Sequence, residues 1–224
     1  MMLVIHKKDL YYGGFAGLRE HRVVMDSSVF GSHKNSGTAD GVGSFIYLAD
    51  AEFNPYGETH MHPHHEVDVV SVMIEGEITH EGSLEGGNRI KAGEVQVQRA
   101  GGEGFEHNEI NPNDKVNRMI QVWFAPEVKG QRAGYQHFEK TEKKVLRVYG
   151  GDGGETFKSK TVMEIIHLKE GESFSYRGLS QGYITKGRLS SAEEKLENGD
   201  LFSSEVLDVV AKEDSNFIFI YLNK

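Results

Sequence analysis

The chain contains no cysteine, which excludes a disulfide frame, a zinc ribbon, a thiol nucleophile and an iron–sulfur cluster. His, Asp and Glu are then the metal ligands it has to offer. Only four prolines occur, too few for collagen-like or Pro-rich linker sequence. Basic residues are in deficit: 25 Lys and Arg against 34 Asp and Glu give a net charge of −9, with no concentrated basic face to hold a nucleic-acid backbone. Long apolar runs are missing too, and none approaches the roughly 20 residues of a membrane helix. The opening Met1-Met2-Leu3-Val4-Ile5 is shorter than the apolar centre of a secretory signal and has no basic segment before it. The expectation is a cytoplasmic protein that binds neither membrane nor nucleic acid directly.

What the 224 residues have in quantity is glycine, 27 in all, and histidine, 11. The length suits one large domain or two small ones, and the glycine content suits many tight turns. Phe45-Ile46-Tyr47-Leu48 and the stretches from Val67 to Ile74, Glu94 to Gln98, Met119 to Phe124 and Phe217 to Leu222 are short and rich in β-branched and aromatic residues. Gly, Asn or Asp separates them, so they read as strands. The best helical candidate, Ser190 to Leu196, is two turns at most. The fold class is all-β.

The mixed-charge run Glu139-Lys140-Thr141-Glu142-Lys143-Lys144 reads as a solvated connector, because both signs alternate and nothing apolar organises it. A boundary there divides the chain into residues 1–138 and 139–224. A weak internal repeat supports two similar halves. Ile74-Glu75-Gly76-Glu77 followed by Lys91-Ala92-Gly93-Glu94 echoes Thr185-Lys186-Gly187-Arg188 followed by Glu197-Asn198-Gly199-Asp200, each a strand running into a Gly turn with a second Gly and a carboxylate opening the next strand.

The most informative stretch is His60-Met61-His62-Pro63-His64-His65, four histidines in six residues, followed by His107-Asn108-Glu109. On a strand, residues two apart share a face with Cα atoms roughly 6.5 Å apart, so His62 and His64 can aim at one point, and His107 and Glu109 repeat the arrangement. Pro63 stiffens the backbone between the first pair. Three neutral nitrogens and one carboxylate suit a divalent first-row metal with exchangeable positions left open. His60 shares the parity of His62 and His65 has the opposite parity. His6, His21, His33, His80, His137 and His167 are isolated, and a lone histidine is ordinarily a satisfied or exposed side chain.

His62-Pro63-His64 and His107-Asn108-Glu109 resemble the two metal motifs of the pirin family within the cupin superfamily. The likeness runs through the stretch from Val69 to Glu77, through Ala92-Gly93-Glu94-Val95-Gln96 and Ala100-Gly101-Gly102, then through Asn108-Glu109-Ile110-Asn111-Pro112 and the stretch from Gln121 to Glu127. Two departures alter the pocket rim: the Gly101 to Glu106 loop is one residue longer than the common pattern, and His65-Glu66-Val67-Asp68 follows His64. The resemblance implies a bicupin of two antiparallel jelly-roll β-barrels, with a metal in the N-terminal barrel held by His62, His64, His107 and Glu109. Fe(II) is the metal implied, and Ni, Cu, Co, Zn or Mn would also suit the ligand set.

It further implies either an oxidoreductase similar to quercetin 2,3-dioxygenase, opening a small aromatic flavonol with O2, or a redox-sensing regulator that binds a protein partner. In the first case Glu109 takes the proton of the substrate 3-hydroxyl. A channel lined by groups such as Phe45, Phe53, Val72 or Phe105 would favour catalysis, and a metal beside a flat charged surface would favour the regulator. A third cupin chemistry, on an anionic sugar phosphate, would need cations such as Arg99 and Arg118, which otherwise read as solvated strand residues. In the second half the corresponding positions are Ser173 and Ser175, with Glu213 and Asp214 further on, so the C-terminal barrel is expected to lack equivalent ligands and to be structural.

Overall fold

The computed structural model describes residues 2–192 and 194–223. The chain runs through β1 (Leu3–His6), β2 (Tyr12–Phe15) and β3 (Leu18–Met25) to a single helical turn at Ser27–Phe30. Asp26 caps that turn by accepting from the Ser28 amide at 3.0 Å, as a short acid at an N-cap does. Then come β4 (Phe45–Phe53), β5 (His62–His64), β6 (Asp68–Glu75), β7 (Glu77–Gly82), β8 (Asn88–Lys91) and β9 (Val95–Arg99). They are followed by β10 (Phe105–Ile110), β11 (Asn117–Phe124), β12 (Gly134–Phe138) and β13 (Val145–Gly151). The last six are β14 (Ser159–Leu168), β15 (Ser173–Lys186), β16 (Arg188–Ser190), β17 (Lys195–Glu197), β18 (Asp200–Ala211) and β19 (Ser215–Leu222). The protein is nearly all β.

Two compact units form. One comprises Tyr11–Asn35 and Ser44–Lys140, and the other Met1–Leu10, Ser36–Gly43 and Thr141–Lys224. In the first, a seven-stranded sheet of order β12-β9-β6-β11-β4-β3-β2 and a four-stranded sheet of order β5-β10-β7-β8 are each antiparallel. Ile78 and Ile90 of the small sheet pack with Leu18, Ala51, Phe53, Met73 and Met119 of the large one, so the two sheets bury a common core. The middle strands of the large sheet are covered on both faces: all five residues of β9, Val-Gln-Val-Gln-Arg, are buried. A strand enclosed in this way carries its polar side chains inward toward something.

The second unit holds an eight-stranded sheet, β13-β14-β19-β15-β18-β16-β17, with β1 on β18. Leu3 to His6 pair with Ser203 to Asp200, and the Lys7 amide continues the contact to the Gly199 carbonyl at 2.9 Å. Backbone pairing thus places the first residues with the last third of the chain. The Gln181 side chain donates to the Asp40 carbonyl at 2.9 Å, one of the ties holding the 36–43 segment there. Ile166, Leu168, Ile184, Phe202, Phe217 and Phe219 are among the core of this unit. Each sheet is open, the eight-stranded one with β1 branching from its path at β18, so strand pairing among the described residues closes no barrel.

Glu193 lies outside the described residues, and the described residues from Ser190 to Leu196 are not helical. Arg188–Ser190 and Lys195–Glu197 are the arms of a hairpin, Leu189 opposite Leu196, with both leucines in the core; long-range pairing overrides the short local preference. The four glycines of the repeat, Gly76, Gly93, Gly187 and Gly199, all have positive φ, the conformation a side chain resists. Ser173 and Ser175 open β15, while Glu213 pairs with Arg188 and Asp214 with Lys169 on the surface.

Gly150 supplies a test of how closely strands approach. It has φ +81°, and a Cβ there would lie 2.0 Å from the Thr161 carbonyl oxygen on the neighbouring strand. Gly154 has φ +94° and open space around it. Gly150→Ala is expected to destabilise by more than about 2 kcal/mol and Gly154→Ala by about 1 kcal/mol, measured by urea unfolding. Equal effects would show that the Gly150 approach is not constrained.

Candidate metal centre

β10 lies between β5 and β7 in the small sheet. Its register sets His107 opposite His62 and Phe105 opposite His64; on the other side His107 faces Gly82 and Glu109 faces His80. The pleat then sends His62 and His64 of one strand and His107 of the next to the same face. Their Nε2 atoms converge: His64 to His107 is 3.1 Å and His107 to His62 is 3.0 Å. Ligand atoms of these three residues all lie within 4.8 Å of one another.

The hydrogen bonds behind the rings decide what those nitrogens carry. His62 Nδ1 lies 2.8 Å from the His60 carbonyl oxygen. A carbonyl only accepts, so Nδ1 holds the proton and Nε2 is a lone pair. His60 has φ +63°, a costly backbone state for a non-glycine residue that aims its carbonyl at His62. The His60 side chain is exposed and takes no place in the cluster, and His65 Nε2 turns to the Gly102 carbonyl at 3.2 Å. His107 Nδ1 is 3.0 Å from Gln98 Oε1. Burial and the neighbouring imidazoles push His107 down to about 2, and burial followed by the His62 charge brings His64 to about 4. The His64 and His107 rings are therefore neutral at pH 7.

A cation fits this donor set. Two nitrogens at right angles, each about 2.1 Å from one ion, are about 3.0 Å apart, whereas a tetrahedral pair is about 3.4 Å apart. The 3.0 and 3.1 Å separations from His107 Nε2 match the first value. Unbridged lone pairs at that distance repel, and a shared divalent ion turns the repulsion into coordination.

Glu109 is fully buried two residues beyond His107 and is not within the three-histidine group. One carboxylate oxygen accepts from Ser71 Oγ at 2.9 Å and Gln96 Nε2 at 3.3 Å, and the other from Gln121 Nε2 at 3.1 Å. Ser71 is the direct cross-strand partner of both Gln96 and Gln121, so these donors form one polar row across β9, β6 and β11. Burial pushes the Glu109 carboxyl up to about 7, against the three hydrogen bonds that favour its charged form. Trp123 Nε1 donates to Gln121 Oε1 at 3.0 Å. Its ring lies 4.4 Å from that of Tyr47 and 5.4 Å from that of His64.

A cavity of about 600 Å³ opens above the cluster, with His62, His64 and Glu109 in its wall. Phe30, Tyr47, Phe53 and Trp123 supply aromatic surface. Of the apolar groups expected along a channel, Phe53 lines it, whereas Phe45, Val72 and Phe105 are buried elsewhere; Phe105 supports the His64 ring from 5.1 Å. Arg99 and Arg118 are neither solvated nor open to an anion. Arg99 pairs with Asp68 at 3.1 Å and Arg118 with Asp50 at 2.6 Å, all four buried in the large sheet.

A family model described as Pirin matches residues 27–124. The "Putative quercetin 2,3-dioxygenase" of Zymomonas mobilis is 30% identical over 175 residues, which cover 71% of this chain and 74% of that protein. The chain belongs to the pirin family. A protein of the same description in Pseudomonas aeruginosa is 32% identical over 142 residues, and the match spans 55% of its length and 62% of this chain. This pirin also superposes on the bacterial pirin YhhW of Escherichia coli, solved in complex with nickel(II), with a TM-score of 0.85 and 18% identity, covering 100% of this chain and 99% of that one. That likeness speaks for the fold.

In this pirin, Gln98, His80, Ser71, Gln96, Gln121 and Trp123 are the site residues that motif reading misses. Their signal is a polar residue on a strand otherwise apolar enough to be buried on both faces. No helix among the described residues is long and apolar enough to cross a membrane. The Arg118–Asp50 pair gives the second test. Arg118→Met strands a buried carboxylate and is expected to cost about 3–5 kcal/mol in urea unfolding, while Asp50→Leu with Arg118→Met recovers most of it. A cost below about 1 kcal/mol for the single change would mean that the pair is hydrated.

Proposed function

We propose that this pirin is a metal-dependent dioxygenase that opens a flavonol such as quercetin with O2. The observation that carries the reading is the convergence of three imidazole Nε2 atoms beside an aromatic-lined cavity whose wall includes His62 and His64. His62, His64 and His107 would hold the ion, with Glu109 as the carboxylate donor; Fe(II) is the metal we favour, and the nickel bound by YhhW agrees with a site that accepts several first-row ions. When bound, such an ion supplies adjacent positions for a substrate oxygen and O2 and exchanges charge with both.

The chain's own residues do the rest. Tyr47 and Trp123 offer faces against which a flat aromatic ring can stack, and the apolar wall excludes water from the reacting face. Glu109, held by Ser71, Gln96 and Gln121, is placed at the cavity wall to accept the proton of the substrate hydroxyl. The reading treats the unit of Tyr11–Asn35 and Ser44–Lys140, which the expected 1–138 division approximates, as the metal-carrying barrel of a bicupin and the other unit, the counterpart of 139–224 joined by the 1–10 and 36–43 segments, as a degenerate barrel of structural role. The volume and aromatic lining of the cavity favour this enzyme over a redox-sensing regulator.

Trp123 is the only tryptophan, so quenching of its fluorescence reports metal binding beside His64. Wild-type protein reconstituted with Fe(II) is expected to show quenching and to consume O2 with quercetin. His62→Ala is expected to lose metal affinity by about a hundredfold or more, and turnover with it. Unchanged iron content in His62→Ala would overturn the ligand assignment; iron-loaded wild type that takes up no O2 across a panel of flavonols would overturn the reaction and leave the regulator reading in its place.

A further inference from the structure

We propose that His80 and Gln98 are positioning residues that fix the tautomer of His107 and so govern how tightly the site holds a cation. The proposal rests on the metal reading above. His80 and Gln98 are fully buried, on β7 of the small sheet and β9 of the large one. A single chain of contacts joins them to the cluster. His80 Nδ1 lies 3.4 Å from the Glu85 carbonyl oxygen, Gln98 Nε2 lies 3.0 Å from His80 Nε2, and His107 Nδ1 lies 3.0 Å from Gln98 Oε1.

The direction of every bond follows from the far end. The Glu85 carbonyl can only accept, so His80 Nδ1 carries a proton. In the neutral ring His80 Nε2 is then a lone pair. It must receive the Gln98 amide N–H, which turns the Gln98 oxygen toward His107. That oxygen accepts from His107 Nδ1, leaving His107 Nε2 bare. Reversing the Gln98 amide would set its oxygen against His80 Nε2 and require the proton there, which leaves His80 Nδ1 and the Glu85 carbonyl facing each other as two acceptors. One arrangement satisfies all the groups, and it is the one that presents a lone pair to the His62 and His64 nitrogens. The His80 ring also lies 5.4 Å from His107 and 6.4 Å from Tyr135, which restricts its rotation.

His80→Phe removes the acceptor and frees Gln98 to turn its NH2 toward His107, which then holds its proton on Nε2 where the cation must bind. The expected result is a ten- to hundredfold loss of Ni2+ affinity, read by calorimetry and by Trp123 quenching. In metal-free protein labelled with 15N-histidine, long-range 1H–15N spectra are expected to show the Nδ1–H tautomer for His80 and His107 in the wild type and a shift of His107 toward Nε2–H in the variant. Adding Gln98→Glu to His80→Phe restores a group that only accepts, and with it most of the affinity. A purely packing role for His80 would give no such rescue.

Affinity within twofold of wild type in folded His80→Phe would overturn the proposal. So would wild-type spectra placing the His80 or His107 proton on Nε2, a measurement that stands even if the variant fails to fold. Wild-type protein that binds no Ni2+ while showing the expected tautomers would count against the metal reading alone.

Discussion

Imidazole nitrogens do not converge to 3.0–3.1 Å, as His107 does with His62 and with His64, without something to offset the repulsion of their lone pairs. In water each would bind a proton or a solvent hydrogen. Here burial disfavours the protonated rings and, on His62 and His107, the proton is committed to the outer nitrogen by an acceptor behind the ring. The cluster is thereby set for a cation and poorly suited to anything else. The rest of the unit that carries it can be understood as the means of keeping those nitrogens convergent.

Sheet geometry supplies the convergence. Antiparallel register puts His107 across from His62, and the pleat brings His64 to the same face, so one strand pair provides all three nitrogens. The opposing sheet supplies control. Its inner strands present Gln96, Ser71 and Gln121 as one row holding Glu109, and Gln98 one step along β9 holds His107. Polar side chains buried in an otherwise apolar sandwich are tolerated because each finds a partner at the site, Gln96 through its Nε2 alone. The buried Arg99–Asp68 and Arg118–Asp50 pairs lie in the same sheet, so the cations that a phosphate-binding pocket would use are already engaged.

Much of this is legible in the residue order, for identifiable reasons. Two i, i+2 motifs on strands announce shared faces, because the strand period is fixed by covalent geometry. The central strands are visible as apolar runs bounded by turn residues, and the repeat glycines mark real positive-φ turns. What is not legible depends on contacts remote in sequence. Val95-Gln96-Val97-Gln98 reads as a strand, but its alternation does not disclose that both of its faces are buried. Arg99 and Arg118 read as solvated until Asp68 and Asp50 are seen beside them. Ser190 to Leu196 has local helical character that the Leu189–Leu196 pairing overrides, and β1 joins β18 across nearly two hundred residues of sequence. Glu109 belongs to the motif, yet its three hydrogen-bond donors come from strands that no motif names.

The most direct measurement is X-ray absorption at the metal edge of protein reconstituted with one equivalent of Ni2+ or Fe2+. The account predicts a coordination shell containing three imidazole nitrogens at about 2.1 Å, identified by the outer-ring scattering of three histidines. A shell with one imidazole or none, filled instead by water and carboxylate oxygens, would contradict it.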